Sequence, residues 1–231
     1  MVREMQKKTF LINYFIGILI IGIIVTSCIV FLNYPKKLTQ SENPLTRLIE
    51  GNKRFQKNGQ LHPDESFDLR TSISGAQYPF AVVVCCSDSR VPPELVFDQG
   101  FGDLFVIRTA GNIVDSVELG SIEYAVEHLS VKQIIVLGHE SCGAIKAFVD
   151  HKEVKGNMKK LIEYIGNEKE ESEAMEQPAS HIHNCVIANV RHVENSISSA
   201  KPILSKKFYT SEIKIIGAVY NLVTGDVTFL E

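Results

Sequence analysis

Three short apolar runs constrain the fold of this 231-residue chain more than any other feature of its sequence. Residues 80–85, 104–107 and 133–137 consist mostly of Val, Ile, Leu, Phe and Ala. Strands that form continuous apolar runs are buried on both faces, as in parallel sheets that carry helices on each side. The three runs therefore predict a parallel sheet at the centre of the fold.

Segments with a helical spacing of apolar residues separate or follow these strands. They comprise residues 117–129, 141–149 and 184–198, together with an earlier helix from Pro44 to Phe55. Proline suits the start of a helix, because its missing N–H would have no intrahelical partner there. Residues 152–180 form the most polar stretch and are expected to be a loop.

The C-terminal residues carry a hairpin signal. Residues 213–220 and 227–230 are largely apolar and flank Thr224-Gly225-Asp226, which is typical of a tight turn. Together with the alternation of strands and helices, this signal predicts an α/β fold. We expect a mostly parallel sheet of about four strands with an antiparallel edge strand, flanked by helices.

The N-terminal part is predicted to attach the protein to a membrane. No charged residue occurs between Thr9 and Pro35, and about 20 apolar residues suffice to cross a bilayer. One interpretation is an uncleaved anchor; the other is a bacterial lipoprotein signal, in which Cys28 after Val25-Thr26-Ser27 is lipidated. Both assign residues 1–40 to a signal or anchor with its linker, and 41–231 to a separate domain. Because a short N-terminal segment normally stays inside, we expect an extracytoplasmic domain.

Charge and cysteine content exclude two classes of protein. The net charge is -3, and residues 1–40 carry five basic side chains and one acidic side chain, so the remainder is acidic. Nucleic-acid binding, which requires a basic surface, is therefore not expected. The chain has five cysteines, too few and too irregularly spaced for a disulfide scaffold, which leaves metal binding or catalysis.

Two polar motifs lie directly after two of the predicted strands. Cys86-Ser87-Asp88-Ser89-Arg90 follows the first strand, and His139-Glu140-Ser141-Cys142 follows the third. Ligands of open parallel sheets bind at the carboxyl ends of the strands, so both motifs can meet in one crevice. Two thiolates and one imidazole, with a fourth position left open, are typical of a catalytic zinc site.

Asp88 and Arg90 are two residues apart and can face the same side of an extended chain. A carboxylate so close to zinc could itself fill the open position. The guanidinium of Arg90 can hold Asp88 away from the metal through a bidentate pair. Asp88 then remains able to accept a hydrogen bond from the reacting water.

These motifs closely resemble those of the β-class carbonic anhydrases. The resemblance covers roughly residues 43–231 and includes Leu48-Ile49-Glu50-Gly51-Asn52-Lys53-Arg54-Phe55 near the start and Gly217-Ala218-Val219-Tyr220 near the end. It implies that 41–231 is the catalytic domain, with one zinc ion per subunit on Cys86, His139 and Cys142, and Asp88 and Arg90 as catalytic residues.

The resemblance also implies a substrate pocket and a partner subunit. In the plant-like subgroup a glutamine, a phenylalanine and a tyrosine bind substrate, the two aromatic residues coming from the dimer partner; Gln77, Phe105 and Tyr124 match them by local context. Gly143, next to Cys142, completes the expected substrate site. The other subgroup has a tryptophan where this chain has Val83, and the chain contains no Trp. A permanently open site is therefore expected. The resemblance also implies a homodimer or a higher even oligomer.

The implied activity is the reversible hydration of CO₂ to bicarbonate and a proton through zinc-bound hydroxide. One alternative keeps the scaffold but hydrolyses another small heterocumulene, carbonyl sulfide or carbon disulfide. A second alternative is a non-catalytic zinc-binding module. An intact Asp88 and Arg90 favour an enzyme, because a structural zinc site does not require them.

Overall fold

One five-stranded sheet forms the centre of the fold. Its strands are Ala81–Cys86 (β1), Leu104–Thr109 (β2), Gln133–His139 (β3), Lys214–Tyr220 (β4) and Val227–Phe229 (β5). Their spatial order is β2-β1-β3-β4-β5. The first four strands are parallel and β5 pairs antiparallel with β4. The predicted α/β class, with four parallel strands and an antiparallel edge strand, is thereby confirmed.

The computed structural model describes residues 17, 43–63, 65–151, 153–166 and 181–230. Apart from Gly17, these residues belong to one compact unit, 41–231. Apart from Gly17, the predicted membrane segment lies outside the described residues, and so does Cys28. None of the helices in the described part of the chain is both long and apolar enough to cross a membrane.

Helices flank the sheet. In chain order they are Pro44–Gln56 (α1), Phe67–Ser72 (α2), Pro93–Val96 (α3), Ser116–His128 (α4), Gly143–Val149 (α5), Asn157–Gly166 (α6), His181–Ser199 (α7) and Leu204–Tyr209 (α8). The prediction of a loop over 152–180 is wrong where α6 forms, because Met158, Leu161, Ile162 and Ile165 recur at helical spacing and Ile165 is buried. The helices α2, α3 and α8 span four to six residues, too few for a period to be recognised.

Alternate residues of β1 enter different cores. Val84 and Cys86 pack into the core that α4, α5, α6 and α7 cover. Val83 and Cys85 pack into the core on the opposite face, together with Leu48 of α1. Neighbouring residues of a strand face opposite sides of the sheet, so adjacent cysteines are placed in different environments.

Helix α7 lies unusually close to β3 and β4 because both strands present a glycine to it. A Cβ at Gly138 would lie 2.5 Å from Cγ2 of Val190, and a Cβ at Gly217 would lie 2.7 Å from Cγ1 of the same valine. Contacts this short do not occur between real carbon atoms. The two glycines therefore set the distance of α7 from the sheet edge that ends in His139.

Gly138→Ala is expected to lower the free energy of unfolding by about 1–3 kcal/mol, because the new methyl group overpacks against Val190. In the double variant with Val190→Ala, the loss should be smaller than the sum of the two single losses. Urea denaturation of all three variants measures this coupling. Gly120→Ala is the control, since its Cβ meets nothing within 4 Å. Additive losses would contradict the proposed close contact.

Candidate metal centre

The ends of two adjacent parallel strands bring the three predicted metal ligands together. Cys86 is the last residue of β1, His139 is the last residue of β3, and Cys142 directly precedes α5. The ligand atoms of these three side chains all lie within 4.8 Å of one another. The two sulfur atoms are 3.9 Å apart. All three residues are buried, so these donor atoms surround one small enclosed volume.

The imidazole of His139 is oriented for metal binding. Its side chain is 0% exposed, and Nδ1 lies 3.0 Å from the carbonyl oxygen of Glu140. Because a carbonyl oxygen only accepts hydrogen bonds, Nδ1 carries the proton and Nε2 keeps its lone pair. Nε2 has no hydrogen-bond partner among the described residues. A buried acceptor without a partner is costly, and a metal ion held by His139 and the two cysteines would satisfy it.

A hydrogen bond between the thiols of Cys86 and Cys142 shifts their pKa values in opposite directions. A hydrogen bond with Cys142 lowers the pKa of Cys86, and the bond from the backbone N–H of Gly111 adds to this effect. The same hydrogen bond raises the pKa of Cys142, which keeps the proton while burial disfavours a second thiolate. A cation can replace that proton and neutralise both sulfurs. Soft thiolates with an imidazole suit zinc better than magnesium or calcium.

Asp88 and Arg90 form the predicted bidentate pair beside these ligands. Nε of Arg90 donates to Oδ1 of Asp88 at 2.9 Å, and Nη2 donates to Oδ2 at 2.8 Å. The backbone N–H of Arg90 also donates to Oδ1, at 2.9 Å. These bonds hold the pKa of Asp88 well below its usual range. Oδ2 lies only 3.9 Å from Nε2 of His139, so the carboxylate borders the metal centre as an ionised acceptor.

Two further contacts at the centre were not predicted from the sequence. Arg108 donates from Nη2 to the carbonyl oxygen of Asp88 at 2.7 Å and from Nε to that of Cys86 at 3.2 Å. The position of this arginine, directly after the apolar run 104–107, is the signal in the sequence that points to such a contact. His183 of α7 pairs with the Glu140 carboxylate at 2.6 Å, and these residues are too distant in sequence for any spacing rule to connect them.

Gly143 lies where the prediction places it, at the first turn of α5 beside Cys142. It is exposed, and a Cβ added there would meet nothing within 4 Å. The space in front of Cys142 is therefore open to a small molecule.

Gln77, Phe105 and Tyr124 form a separate cluster. Gln77 and Tyr124 line a cavity of about 550 Å³, and the ring centroid of Phe105 lies 6.2 Å from that of Tyr124. Phe105 pairs with Val82, four residues before Cys86, which corresponds to about 13 Å along the strand. One chain therefore does not bring Phe105 against its own metal centre.

Comparison with known proteins identifies the family of this chain. The family model described as carbonic anhydrase matches residues 81–227. The chain is 56% identical over 100 residues to a carbonic anhydrase of Mycolicibacterium smegmatis, an alignment that covers 43% of this chain and 48% of that protein. The chain thus spans about half the length of this curated relative.

Two other relatives match over most of the chain. A carbonic anhydrase of Pseudomonas aeruginosa is 32% identical over 207 residues, which cover 80% of this chain and 86% of that protein. The structure of the Coccomyxa β-carbonic anhydrase in complex with acetazolamide aligns with a TM-score of 0.63 at 27% identity, covering 82% of this chain and 87% of that chain. The chain belongs to the β class of the carbonic anhydrase family.

Proposed function

We propose that this protein is a zinc-dependent carbonic anhydrase that interconverts CO₂ and bicarbonate. One observation carries the proposal: three buried ligand atoms converge beside an ionised carboxylate that Arg90 holds in place. Cys86, His139 and Cys142 would hold the ion and leave one position open, as in catalytic rather than structural zinc sites.

Each residue of the centre has a defined task in the proposed reaction. A bound zinc ion supplies Lewis acidity, which makes water acidic enough to serve as a nucleophile near neutral pH. The Asp88 carboxylate accepts a hydrogen bond from that nucleophile and orients it toward the carbon of CO₂. Arg90 keeps the carboxylate from occupying the open position. The absence of a side chain at Gly143 leaves room for the substrate.

The two adjacent cysteines allow a matched test of the metal centre. Cys86→Ser is expected to lower zinc content and to reduce CO₂ hydration at least about 100-fold, because a metal ligand is lost. Cys85→Ala should retain both properties, since Cys85 faces the opposite core. Elemental analysis and stopped-flow measurement of CO₂ hydration check this.

The outcomes of that test separate the proposal from its alternatives. Zinc-loaded protein that hydrates no CO₂ but hydrolyses carbonyl sulfide or carbon disulfide would assign the other substrate class to this scaffold. Zinc-loaded protein that is inactive on all three substrates would indicate a non-catalytic module. Equal zinc content in Cys86→Ser and Cys85→Ala would contradict the metal site itself.

Arg90→Gln is expected to reduce CO₂ hydration about 10–100-fold while zinc remains bound, because the freed Asp88 carboxylate can reach the metal. Arg90→Lys should restore little activity, since an ammonium group cannot form the two parallel hydrogen bonds of a guanidinium. Arg70→Gln, which changes an exposed arginine of α2, is the control. If Arg90→Gln keeps full activity, the pair is only a surface ion pair of little value.

We further propose that a second copy of the chain completes the substrate site. Gln77, Phe105 and Tyr124 cluster away from the metal centre of their own chain, and Tyr78 beside them is 81% exposed. Exposed aromatic residues are typical of interfaces. In a symmetric homodimer, each cluster would face the metal centre of the partner and provide its apolar CO₂ pocket.

A mixing experiment tests this shared site. Gln77→Ala and Asp88→Asn homodimers should each be nearly inactive. After unfolding and refolding together they should regain about one quarter of wild-type activity, because half of the dimers are mixed and each has one intact site. No recovery, in a mixture shown to contain mixed dimers, would place Gln77 in the site of its own chain.

We also propose that residues 1–40 attach the protein to a membrane, as an anchor or as a lipoprotein with Cys28 lipidated, because no charged residue occurs between Thr9 and Pro35. We propose an extracytoplasmic location and membership of the permanently open, plant-like subgroup. The absence of Trp from the chain supports the subgroup. A tethered enzyme of this kind would exchange CO₂ and bicarbonate at the membrane surface.

A further inference from the structure

A buried asparagine of α7 contacts the loop that surrounds the metal ligands. The Asn189 side chain is 1% exposed, and its Nδ2 donates to the carbonyl oxygen of Gly111 at 2.8 Å. The amide orientation is determined by this bond, because only the nitrogen can donate to a carbonyl. The close packing of α7 on Gly138 and Gly217 brings Asn189 within reach of this loop.

Gly111 in turn contacts a metal ligand. Its backbone N–H donates to Sγ of Cys86 at 3.3 Å. The residue has a φ of +73°, and an added Cβ would lie 3.1 Å from that of Ala144. Only glycine combines this backbone conformation with this space. Residue 111 therefore has no side chain of its own that could restrain the loop.

The restraint comes from Asn189 instead. Glycine has more backbone freedom than any other residue, so an unrestrained Gly111 could turn its N–H away from the sulfur. Asn189 holds the carbonyl group of the same residue and so limits the rotation on both sides of its Cα. Asn189 of α7 donates a hydrogen bond to Gly111, and Gly111 donates one to Cys86. Asn189 can therefore act on Cys86 without contacting a metal ligand itself.

We infer that Asn189 is a positioning residue: through Gly111 it maintains the N–H···S hydrogen bond on Cys86 and thereby limits the electron donation of that thiolate to the metal. This inference rests on the proposed metal centre, but not on the substrate. Partners that hydrogen-bond to metal ligands typically change metal affinity or activity by about 10–100-fold when they are removed.

Cobalt substitution provides a readout that a purely structural role would not alter. A thiolate that loses a hydrogen bond holds its electrons less tightly, so its sulfur-to-cobalt charge-transfer band moves to longer wavelength. Asn189→Leu, which has a similar volume but no donor, should show this shift. It should also raise the zinc dissociation constant about 10-fold or more, because Cys86 is then no longer held in the orientation that binds the metal, and this loss outweighs the gain in electron donation. Val193→Ala, another buried position of α7, controls for general loss of packing.

The charge-transfer band is measured on the full chain loaded with Co²⁺. The zinc dissociation constant is measured separately, by titrating the full chain with Zn²⁺ in competition with a chelator. If Asn189→Leu does not fold, Asn189→Ala carries the same expectation without added volume. A band and a zinc affinity equal to those of Val193→Ala would overturn the inference, as would the absence of any thiolate band in the wild type. A wild type that shows the band but hydrates no CO₂ would refute the proposed function. The positioning role of Asn189 would still be tested by the shift of the charge-transfer band in Asn189→Leu.

Discussion

The parallel pairing of β1 with β3 is the constraint on which the metal centre depends. Cys85 lies opposite Leu137 in this register, so both strands end at the same sheet edge, with Cys86 and His139 as their last residues. Both faces of these strands are buried, which makes the register costly to change. A slip of one residue in β1 would turn Cys86 into the opposite core and leave His139 without a sulfur ligand.

Two adjacent residues of one type show how strongly the local environment determines chemistry. Burial raises the pKa of Cys85 to about 12, although the positive charge of Arg108 opposes this effect. Cys86, on the other face, has hydrogen bonds with Cys142 and with the backbone N–H of Gly111, and these lower its pKa. A desolvated thiol thus remains a neutral apolar group at position 85, whereas position 86 supports the anion that binds a metal.

The strands, most of the longer helices and the three ligands could be predicted because each leaves a local pattern. Apolar runs indicate buried strands, and the motifs that follow them contain the ligand types themselves. The contacts of Asn189 with Gly111 and of His183 with Glu140 join residues 78 and 43 positions apart, and no local pattern records such pairs. The proposed role of Phe105 rests on the resemblance alone, since packing would select the same residue in this strand.

The pair of Asp88 and Arg90 gives the physical argument for a catalytic rather than a structural centre. A structural zinc site gains stability when a fourth protein ligand closes it, and the Asp88 carboxylate, 3.9 Å from Nε2 of His139, is near enough to do so. Arg90 instead binds both oxygens of that carboxylate, although its own side chain is 56% exposed and gains little from the pair. Under the proposed function, an arrangement that stabilises the fold so weakly is best explained by what it would prevent, which is closure of the fourth position of a bound metal.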